Sequence, residues 1–422
     1  MKVLVVGNGG REHAIIWKLK QSPLVDEIYC AAGNAGIGLD AKLVPIQPME
    51  IEKMADFAEE NKIDFTVIGM DDPLAAGIVD VFEGRGLKVF GPRKNAAVIE
   101  ASKVFSKNLM KKYGIPTGAY EVFGDYDSAY KYCETSKYPL VVKADGLALG
   151  KGVLICETFE DAKDALTEIM LDKKFGDSGN NVVIEEFLTG PEVSVLSFCD
   201  GKTVKPMVSA QDHKRAMDND KGLNTGGMGT FSPGRIYTDE LAAECMETIY
   251  KPTVAAMAAE GRPFKGILYF GLMLTPNGVR VLEYNARFGD PEAQVVLPRL
   301  KTDLMEIFLA VEEERLDKID IEWYDNAAAC VILASGGYPE DYKKGYEITG
   351  LEKLAGRDDI VVFHAGTAEK DGKIVTNGGR VLGVTGIGKD MTEAIEKAYE
   401  GVKLIDFKDK HFRTDIGKKY FL

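Results

Sequence analysis

The sequence predicts a multidomain protein of the α/β and α+β classes, with a small doubly wound parallel-sheet domain at its N-terminus. Its 422 residues exceed one ordinary domain and are enough for roughly three. Strand and helix patterns alternate over residues 1–100, which is the order that builds a parallel sheet. Farther along, helices and successive strands are separated by glycine-rich stretches. We therefore expect domains at residues 1–101, 102–325 and 326–422.

The first domain is expected to bind a sugar phosphate rather than a dinucleotide. Its strands are expected at Lys2–Gly7, Glu27–Ala31, Phe65–Gly69 and Leu87–Phe90, and its helices at Glu12–Gln21 and Ile51–Asn61. The first turn contains Gly7 and Gly9, but Glu12 stands where a dinucleotide-binding turn has its third glycine. The backbone N–H groups of Asn8, Gly9 and Gly10 can instead face a phosphate at a helix N-terminus.

The central region is expected to form two α+β lobes, the smaller at about residues 118–192 and the second at 193–325. The expected helices are Lys94–Tyr113, Tyr126–Thr135, Phe159–Leu171, Asp239–Glu260 and Asp303–Glu314, and the expected strands are Leu140–Lys143, 182–187, 192–199, Ile267–Leu274 and Val279–Asn285. The stretch Asp212–Gly229 is polar and glycine-rich, and its length favours a functional loop over the alternative of a surface insertion.

The last domain is predicted as α+β. Strands are expected at Ala327–Leu333, Val361–His364 and Gly378–Val384, followed by a helix with an apolar stripe from Met391 to Val402. The basic, aromatic tail Lys410–Leu422 is expected to pack across another domain.

Composition excludes several classes of function. The net charge of −14 disfavours general binding to nucleic acid or to an anionic membrane. No apolar run is long enough for a membrane span and no targeting segment is evident, which favours the cytoplasm. The six cysteines form no C-x-x-C pair and the four histidines have no zinc-ligand spacing, so we expect reduced core cysteines and no zinc site.

The most informative motif follows the apolar strand Val279–Leu282. If the alternation of a strand continues, Glu283, Asn285 and Arg287 point to one face. A carboxylate and an amide oxygen are hard ligands of the kind that Mg²⁺ takes beside nucleotide phosphates, and an arginine can neutralise the remaining phosphate charge. The motif therefore indicates phosphoryl transfer. A polar edge strand running into a turn at Gly289–Pro291 is the alternative.

A glycine- and lysine-rich loop follows another apolar strand, which ends at Lys143. The loop contains Gly146, Gly150, Lys151 and Gly152, whose backbone N–H groups and ammonium group can fold over a polyphosphate. It is not a P-loop, because Gly152 stands where that motif needs serine or threonine. A glycine-rich hairpin with exposed lysines is the alternative.

Between these motifs an apolar strand runs into Glu185, Glu186, Phe187 and Leu188, and Glu192 follows. Backbone groups beside apolar side chains can hold an adenine ring, and Glu192 can accept from ribose hydroxyls, although alone this would be an ordinary strand and turn. Taken in order, the lysine–glycine loop, E-E-F-L-x-G-x-E and E-x-N-x-R resemble the ATP-grasp fold, in which two α+β lobes close over ATP. The resemblance implies a two-lobed ATP-grasp fold for the central region.

Longer motifs extend the resemblance over essentially the whole chain. They are Val3–Ala14, Gln211–Arg215, Asn224–Gly229, Arg287–Glu292 and Thr376–Leu382. In this order they resemble the phosphoribosylamine–glycine ligase family. The resemblance implies a reaction in de novo purine biosynthesis, in which ATP drives the joining of glycine to 5-phospho-β-D-ribosylamine through glycyl phosphate. ADP, phosphate and glycinamide ribonucleotide are the implied products.

The resemblance also implies a set of site residues. Mg²⁺ or Mn²⁺ would be held by Glu283 and Asn285. ATP would be bound by Lys103, Lys143, Gly146, Gly150, Lys151, Gly152, Glu185, Glu186, Phe187, Leu188 and Glu192. The catalytic candidates are Arg287, Asp290, Asp212 and Lys214. Glycine and the phosphoribosyl group would contact Asn8, Gly9, Gly10, Asp71, His213, Gly227, Met228, Gly229, Asn377, Gly378, Gly379 and Arg380.

Two positions depart from patterns common in these proteins. Tyr269 stands where many ATP-grasp enzymes carry a first metal-binding glutamate, which bears on whether a second metal is bound. Asp71 replaces a glutamate and would reach less far toward the sugar. The alternatives are another ATP-grasp ligase, either formyl-dependent or carboxylating, and a non-enzymatic nucleotide-binding protein. We expect a monomer with at most transient contacts to neighbouring purine-pathway enzymes.

Overall fold

A parallel sheet forms the N-terminal part of the computed structural model, which describes residues 1–147 and 152–422. The strands are β1 Lys2–Gly7, β2 Glu27–Ala32, β3 Lys42–Val44, β4 Phe65–Ile68 and β5 Val89–Phe90, and the helices are α1 Gly10–Leu19, α2 Ile37–Asp40, α3 Ile51–Glu60, α4 Asp71–Ala76, α5 Ile78–Gly84 and α6 Lys94–Ala101. The spatial order β3-β2-β1-β4-β5 confirms the doubly wound sheet that the sequence predicts. Helix α1 begins two residues earlier than predicted.

The side chain of Glu12 explains why this sheet does not present a dinucleotide site. A parallel sheet of this order binds ligands where the order reverses, between β1 and β4. The buried Glu12 side chain occupies that place: a Cβ atom added at Gly7 or at Gly69 would collide with it. A pyrophosphate cannot approach the turn as closely as the third glycine of a dinucleotide-binding motif allows.

The small lobe is an antiparallel sheet with helices packed on it. Its elements are α7 Lys103–Tyr113, β6 Tyr120–Phe123, α8 Tyr126–Thr135, β7 Leu140–Ala144, β8 Val153–Cys156, α9 Phe159–Leu166 and β9 Val182–Glu186, with a π-helical turn at Thr167–Leu171. The strand order is β6-β9-β7-β8. The helix predicted over Lys94–Tyr113 is in fact α6 and α7, because Ser102 leaves helical geometry and caps α7, accepting from the N–H of Phe105 at 3.0 Å.

The large lobe is a second antiparallel sheet, with the order β11-β10-β16-β17. Its region of the chain contains β10 Glu192–Asp200, β11 Val204–Pro206, β12 Gln211–Asp212, β13 Arg215–Met217, β14 Lys221–Asn224, β15 Gly229–Ser232, α10 Asp239–Cys245, α11 Lys251–Ala259, β16 Lys265–Thr275, β17 Gly278–Asn285, α12 Ala293–Val296 and α13 Leu304–Glu312. A π-helical segment at Met246–Tyr250 joins α10 to α11, so the long predicted helix is present with a changed middle turn.

The C-terminal sheet incorporates strands from the central part of the chain. Its own region contains β18 Ala327–Ser335, β19 Ile360–His364, β20 Thr367–Lys370, β21 Lys373–Thr376, β22 Arg380–Gly388, α14 Met391–Leu404 and β23 Lys410–His411. The sheet order is β12-β15-β18-β22-β19, with β23 also paired to β18. Residues next to Asp212 and Gly229 are thereby fixed to the C-terminal domain.

The segment Asp212–Gly229 is therefore not a loop throughout, which corrects the sequence-based interpretation. β13 and β14 form a hairpin whose turn contains Asn219 and Asp220 at φ 59° and 53°, values that short hairpin turns require. Asn and Asp tolerate this conformation, and the same polar residues made the segment resemble a loop. As predicted, the C-terminal tail crosses another part of the molecule: Arg413 donates to Asp220 at 2.9 Å in this turn.

Two further expectations concern cysteines and membranes. All six cysteines lie within the described residues, where they are buried and free of disulfides, as the sequence predicts. Across the described part of the chain, no helix is both long enough and apolar enough to cross a bilayer.

Candidate active site

A β-bulge in β17 determines which way Glu283 and Asn285 point. Gly271 of β16 pairs with Glu283, whereas the next residue, Leu272, pairs with Val281, so Leu282 is an extra residue, a β-bulge. The bulge changes the phase of the strand: Val281 faces the apolar core before it, and Tyr284 faces that core after it. Glu283 and Asn285 are thereby turned away from the core. Simple alternation from Val281 would have turned Glu283 toward the core.

Positive charge surrounds Glu283. Burial acts to raise the pKa of its carboxyl, but Lys214, Lys143, Lys103 and Arg287 outweigh that effect and lower the pKa below its ordinary value. The carboxylate is therefore ionised near neutral pH. An ionised carboxylate among these cations is suited to a site where a divalent cation and phosphates meet.

Arg287 is held by carboxylates of the N-terminal part of the chain. Its guanidinium lies 2.8 Å from Glu100 Oε1 and 3.9 Å from Asp71 Oδ2, and it donates to Asn285 Oδ1 at 3.3 Å. Burial lowers the pKa of Arg287, but Glu100 and Asp71 outweigh it and raise the pKa. Its buried Nε–H has no acceptor among the described residues.

Glu100 is a site residue that the sequence did not reveal. It lies in the last turn of α6, is buried, and also accepts from the N–H of Ala286 at 2.6 Å. Burial raises the pKa of Glu100, while Arg287 opposes that shift. The pairing joins positions far apart in the chain, so no local pattern could have indicated it.

Two of the lysines predicted to bind phosphate, Lys103 and Lys143, lie near the start of the glycine-rich loop. Lys103, the first residue of α7, donates to the carbonyl oxygen of Gly146 at 2.9 Å. Burial lowers the pKa of Lys103, and Glu283 opposes this shift. Lys143 lies 3.0 Å from Glu185 Oε1. Gly150 and Lys151, with Ala148 and Leu149, lie outside the described residues.

The residues predicted to seat adenosine differ in their surroundings. Glu185 is buried and paired with lysines, while Glu186 is exposed and accepts from the N–H of Ala119 at 2.7 Å. Phe187 and Leu188 follow the end of β9 and are half-buried, so they offer apolar surface beside exposed backbone.

An acidic cluster lies beside Lys214. Its ammonium is 2.7 Å from Glu192 Oε2. Asp212 is two residues away on the same face of the chain, and burial together with Glu292 and Glu192 raises its pKa to about 7, against the opposing effect of Lys214. A carboxyl with this pKa can accept a proton at neutral pH.

The hydroxyl group of Tyr269 is hydrogen-bonded to two neighbouring side chains. Its hydroxyl lies 2.6 Å from Ser194 Oγ and donates to Glu292 Oε1 at 3.0 Å. Burial, and then Glu292, raise the pKa of Tyr269 well above its ordinary value, so the hydroxyl keeps its proton. Glu292 and Ser194 are further residues that the sequence interpretation did not assign.

The glycine turn that precedes α1 faces Asp290. The N–H of Gly9 donates to Glu12 Oε2 at 2.7 Å, and the N–H of Arg11 donates to Asp290 Oδ2 at 3.3 Å. Arg380 and Arg11 outweigh burial and lower the pKa of Asp290. The side chain of Asn8 is exposed, and Gly10 packs against Gln294. The N–H group of Gly9, which was expected to face a phosphate, is thus satisfied by a carboxylate of this chain.

Arg380 joins the C-terminal domain to the central one. It donates to the carbonyl oxygens of Gly226 at 2.6 Å and of Asp290 at 2.7 Å. The preceding turn, Asn377–Gly379, packs tightly: a Cβ atom on Gly378 would lie 2.8 Å from Gly366. Gly227 has φ +113°, a conformation that favours glycine, and lies against Pro291.

Some predicted residues are not brought together with the rest. His213 is fully buried, packs against Phe231, and has both ring nitrogens without partners among the described residues. Burial, Lys419 and Arg413 lower its pKa to about 3. Strand geometry turns it away from its neighbours Asp212 and Lys214. Met228 is also fully buried, next to β18.

The donor set fits a divalent cation that shares its coordination with phosphates. Within the described residues, no group of three or more His, Cys, Asp or Glu side chains could hold a metal ion alone. The ionised Glu283 and the amide oxygen of Asn285 supply hard oxygen donors on one face. Mg²⁺ is commonly held by one or two protein oxygens together with substrate phosphates and water.

Models of one protein family match nearly the whole chain. The phosphoribosylglycinamide synthetase N domain matches residues 1–100, the ATP-grasp (A) domain matches 101–293, and the C domain matches 328–419.

Individual proteins agree with these family models. The chain is 52% identical over 420 residues to the phosphoribosylamine–glycine ligase of Caldanaerobacter subterraneus, with 100% of both chains covered. It is 47% identical to the enzyme of that name from Haemophilus influenzae, over 99% of this chain and 98% of that one. The crystal structure of the Thermotoga maritima phosphoribosylamine–glycine ligase has a TM-score of 0.85 and 36% identity, covering 98% of this chain and 100% of its own.

A more distant structure shows the fold alone. The biotin carboxylase domain of the Hydrogenobacter thermophilus 2-oxoglutarate carboxylase has a TM-score of 0.74 at 16% identity, and the match covers 97% of this chain and 91% of that domain.

Proposed function

This chain belongs to the phosphoribosylglycinamide synthetase family, and on that premise we propose how its cleft carries out the reaction. The enzyme joins glycine to 5-phospho-β-D-ribosylamine with ATP, in purine biosynthesis, and releases ADP and phosphate. One observation supports this location for the reaction: the positive charges of Lys103, Lys143 and Lys214 all lower the pKa of Glu283 and keep its carboxylate ionised. Cations gathered around a carboxylate suit a polyphosphate with a divalent cation better than a neutral ligand.

ATP lies between the lobes. The adenine ring packs on Phe187 and Leu188 and bonds to the backbone after β9, and Glu192 accepts from the ribose. Lys103 and Lys143 neutralise the phosphates, and Gly146, whose carbonyl oxygen accepts from Lys103, lies beside them. Support comes from the half-buried apolar side chains at the end of β9 and from the lysines that converge on Glu283.

In the first step, a carboxylate oxygen of glycine attacks the γ-phosphorus of ATP. The bond to the bridging oxygen breaks, ADP leaves, and glycyl phosphate forms. Positioning and charge neutralisation supply most of the acceleration, because phosphoryl transfer needs no protein nucleophile. Arg287 donates its free Nε–H to the transferring group, while Glu100 and Asp71 hold its guanidinium in place.

In the second step, the amine nitrogen of phosphoribosylamine attacks the carbonyl carbon of glycyl phosphate. Phosphate leaves with the electron pair of the broken carbon–oxygen bond, and the nitrogen loses a proton. Asp212 takes this proton, since its pKa of about 7 suits a base at neutral pH. Lys214 stabilises the negative charge that develops on the acyl phosphate.

The phosphoribosyl group lies between the first turn and the C-terminal domain. Asn8, Gly9 and Gly10 line one side, and the turn Asn377–Arg380 lines the other. Asp290 accepts from the amine. This placement is supported by the contacts of Asp290 with Arg11 and Arg380, which bring both turns to one carboxylate.

The divalent cation, Mg²⁺ or Mn²⁺, would be held by Glu283 and Asn285. When bound, it neutralises phosphate charge as a Lewis acid and aligns the phosphates. Tyr269 is bonded to Glu292 and Ser194, and we therefore propose no second metal at its position. A cytoplasmic, monomeric enzyme remains our prediction from the sequence.

Omission of single substrates tests the proposed function. ADP release should require the divalent cation, glycine and phosphoribosylamine together, with one ADP formed for each glycinamide ribonucleotide. Equal ADP release with water as the only acceptor would make the protein an ATPase and would contradict the proposal.

A further inference from the structure

Lys107 lies buried behind the nucleotide cleft, where no role has been assigned to it. It is on the second turn of α7, and 2% of its side chain is exposed. Its ammonium donates to Thr117 Oγ1 at 2.7 Å and lies 2.9 Å from Glu185 Oε2. Thr117 in turn donates to the carbonyl oxygen of Val281 at 2.7 Å, one residue before the bulge in β17. Lys107 therefore connects α7, β9 and β17.

The two lysines beside Glu185 are held differently. Lys107 is fixed by the aligned bond to Thr117 as well as by the ion pair. Lys143 lies 3.0 Å from Glu185 Oε1, yet that oxygen is buried and has no aligned hydrogen bond among the described residues. The bond from Lys143 to the carbonyl oxygen of Leu282 is long, at 3.4 Å. Lys143 thus keeps N–H donors that it can turn to a ligand.

The different surroundings of Lys107 and Lys143 matter because both lysines compensate the charge of Glu185. A buried carboxylate needs compensation by a nearby cation. If Lys107 were absent, Lys143 alone would have to compensate Glu185, and its ammonium would be drawn toward that carboxylate. With Lys107 present, Glu185 Oε2 has a cation of its own at 2.9 Å, and Lys143 does not have to compensate the carboxylate alone.

We propose that Lys107 is a positioning residue for ATP, which compensates and fixes Glu185 so that Lys143 remains available to the phosphates. The inference rests on the proposed nucleotide cleft. Burial lowers the pKa of Lys107 to about 8, with Glu185 opposing the shift, and a lysine that carries charge in such a place needs its carboxylate partner. Lys107 itself touches neither phosphate nor glycine in this arrangement.

Lys107→Met keeps the length of the side chain and removes its charge, and it tests the proposal. We expect the KM for ATP and the calorimetric Kd of MgATP to rise about tenfold, while the KM for glycine stays within about twofold. Lys107→Arg should restore most of the affinity for ATP. Thr117→Val, which removes the hydroxyl that links Lys107 to the carbonyl oxygen of Val281, should raise the Kd by a few-fold and serves as a second variant should Lys107→Met fail to fold.

Two controls separate this role from a structural one. Lys111→Met, one turn farther along α7 and exposed, should leave the Kd of MgATP unchanged. Adding Lys107→Met to Glu185→Gln should change the Kd by less than about twofold, because Lys107 acts through the Glu185 charge. A lower unfolding midpoint with unchanged Kd and KM for ATP in Lys107→Met and Thr117→Val would overturn the proposal. Failure of the wild-type protein to bind MgATP would instead overturn the proposed function.

Discussion

At the scale of single residues, the chemistry depends on a few side chains whose ionisation is set by their neighbours. Glu283 stays ionised because Lys214, Lys143 and Lys103 outweigh its burial, whereas Asp212 is shifted in the opposite direction by burial and by Glu292. Two carboxyl groups in one cleft are thus suited to the different roles that we propose for them, the first as a cation ligand and the second as a base.

Replacing the proposed cation ligands should abolish turnover without unfolding the protein. Glu283→Gln keeps the shape but removes the charge, and Asn285→Leu removes an oxygen donor. We expect kcat to fall on the order of 10²-fold or more in each variant, as for the loss of metal-held phosphate. Steady-state rates at varied Mg²⁺ and Mn²⁺ measure the effect, with the exposed Glu244→Gln on α10 as control. Wild-type turnover at low metal concentration in either variant would place the metal elsewhere.

The raised pKa of Asp212 predicts a pH dependence. A base must be unprotonated to act, and Asp212 becomes protonated as the pH falls through about 7. The wild-type kcat/KM for phosphoribosylamine should therefore fall on the acid side of that value, approaching tenfold per pH unit. Asp212→Asn should lower kcat/KM about 10²-fold and remove this limb of the profile. A wild-type profile that is flat from roughly pH 5.5 to 8 would exclude Asp212 as the base.

At the scale of elements, β17 shows what a sequence pattern can and cannot predict. The strand and the common face of Glu283, Asn285 and Arg287 follow from alternation. The bulge at Leu282 does not, because it depends on the register against Gly271 of another strand. The pairing of Arg287 with Glu100 was equally hidden, since it requires the N-terminal domain to be docked beside β17.

Other elements were predicted in type but not in detail. Apolar periodicity was enough for the strands of the parallel sheet and for most helices. The break between α6 and α7 depends on a single serine cap, and the hairpin β13–β14 depends on turn residues that are equally common in loops. Small elements such as α2 and β3 carry too few residues for a periodic signal.

Arg380 links the Gly226–Gly227 turn to Asp290. Replacing it therefore tests whether this link between elements shapes the proposed phosphoribosylamine site. Arg380→Met should raise the KM for phosphoribosylamine about tenfold, because the carbonyl groups and carboxylate that it holds would lose a charged donor. The Kd of MgATP should stay within about twofold, since the proposed nucleotide site lies against other strands. Lys373→Met, an exposed position on β21, is the control. An unchanged KM with weaker MgATP binding would contradict this arrangement.

At the scale of the whole molecule, the C-terminal tail fastens the central hairpin to the last domain. Arg413 is buried, with 1% of its side chain exposed, and lies 2.7 Å from Asp415 and 2.9 Å from Asp220. It also donates to the carbonyl oxygen of Arg215 at 3.0 Å. The tail thereby holds the segment that carries Asp212 and Lys214.

Breaking this pair should destabilise the fold in a pH-dependent way. Arg413→Met leaves the Asp415 carboxylate without its cation and Asp220 with Lys419 alone, which we expect to lower the free energy of unfolding by about 3 kcal/mol at neutral pH. Arg413 and the hydrogen bond from the N–H of Asn219 outweigh the effect of burial and lower the pKa of Asp415. The stabilisation that Arg413 gives is therefore present above the ordinary pKa of 3.8 and is lost as the pH falls below it. Denaturant unfolding at a series of pH values measures the difference.

The surface variant Arg357→Met is the matched control, because Arg357 pairs with Asp359 and Glu400 in solvent and should contribute much less. If Arg413→Met were no less stable than Arg357→Met at neutral pH, the tail would not fasten the hairpin.

In the proposed mechanism the cleft activates the glycine carboxylate by phosphorylation, and the fate of the carboxylate oxygens tests this step. Glycine labelled with ¹⁸O in its carboxylate, ATP and phosphoribosylamine should be turned over together, and the released phosphate analysed by mass spectrometry. Glycyl phosphate formation transfers one labelled oxygen from glycine to each phosphate released, with one ADP and one glycinamide ribonucleotide formed. Unlabelled phosphate from fully labelled glycine, at the same ratio of products, would contradict the account.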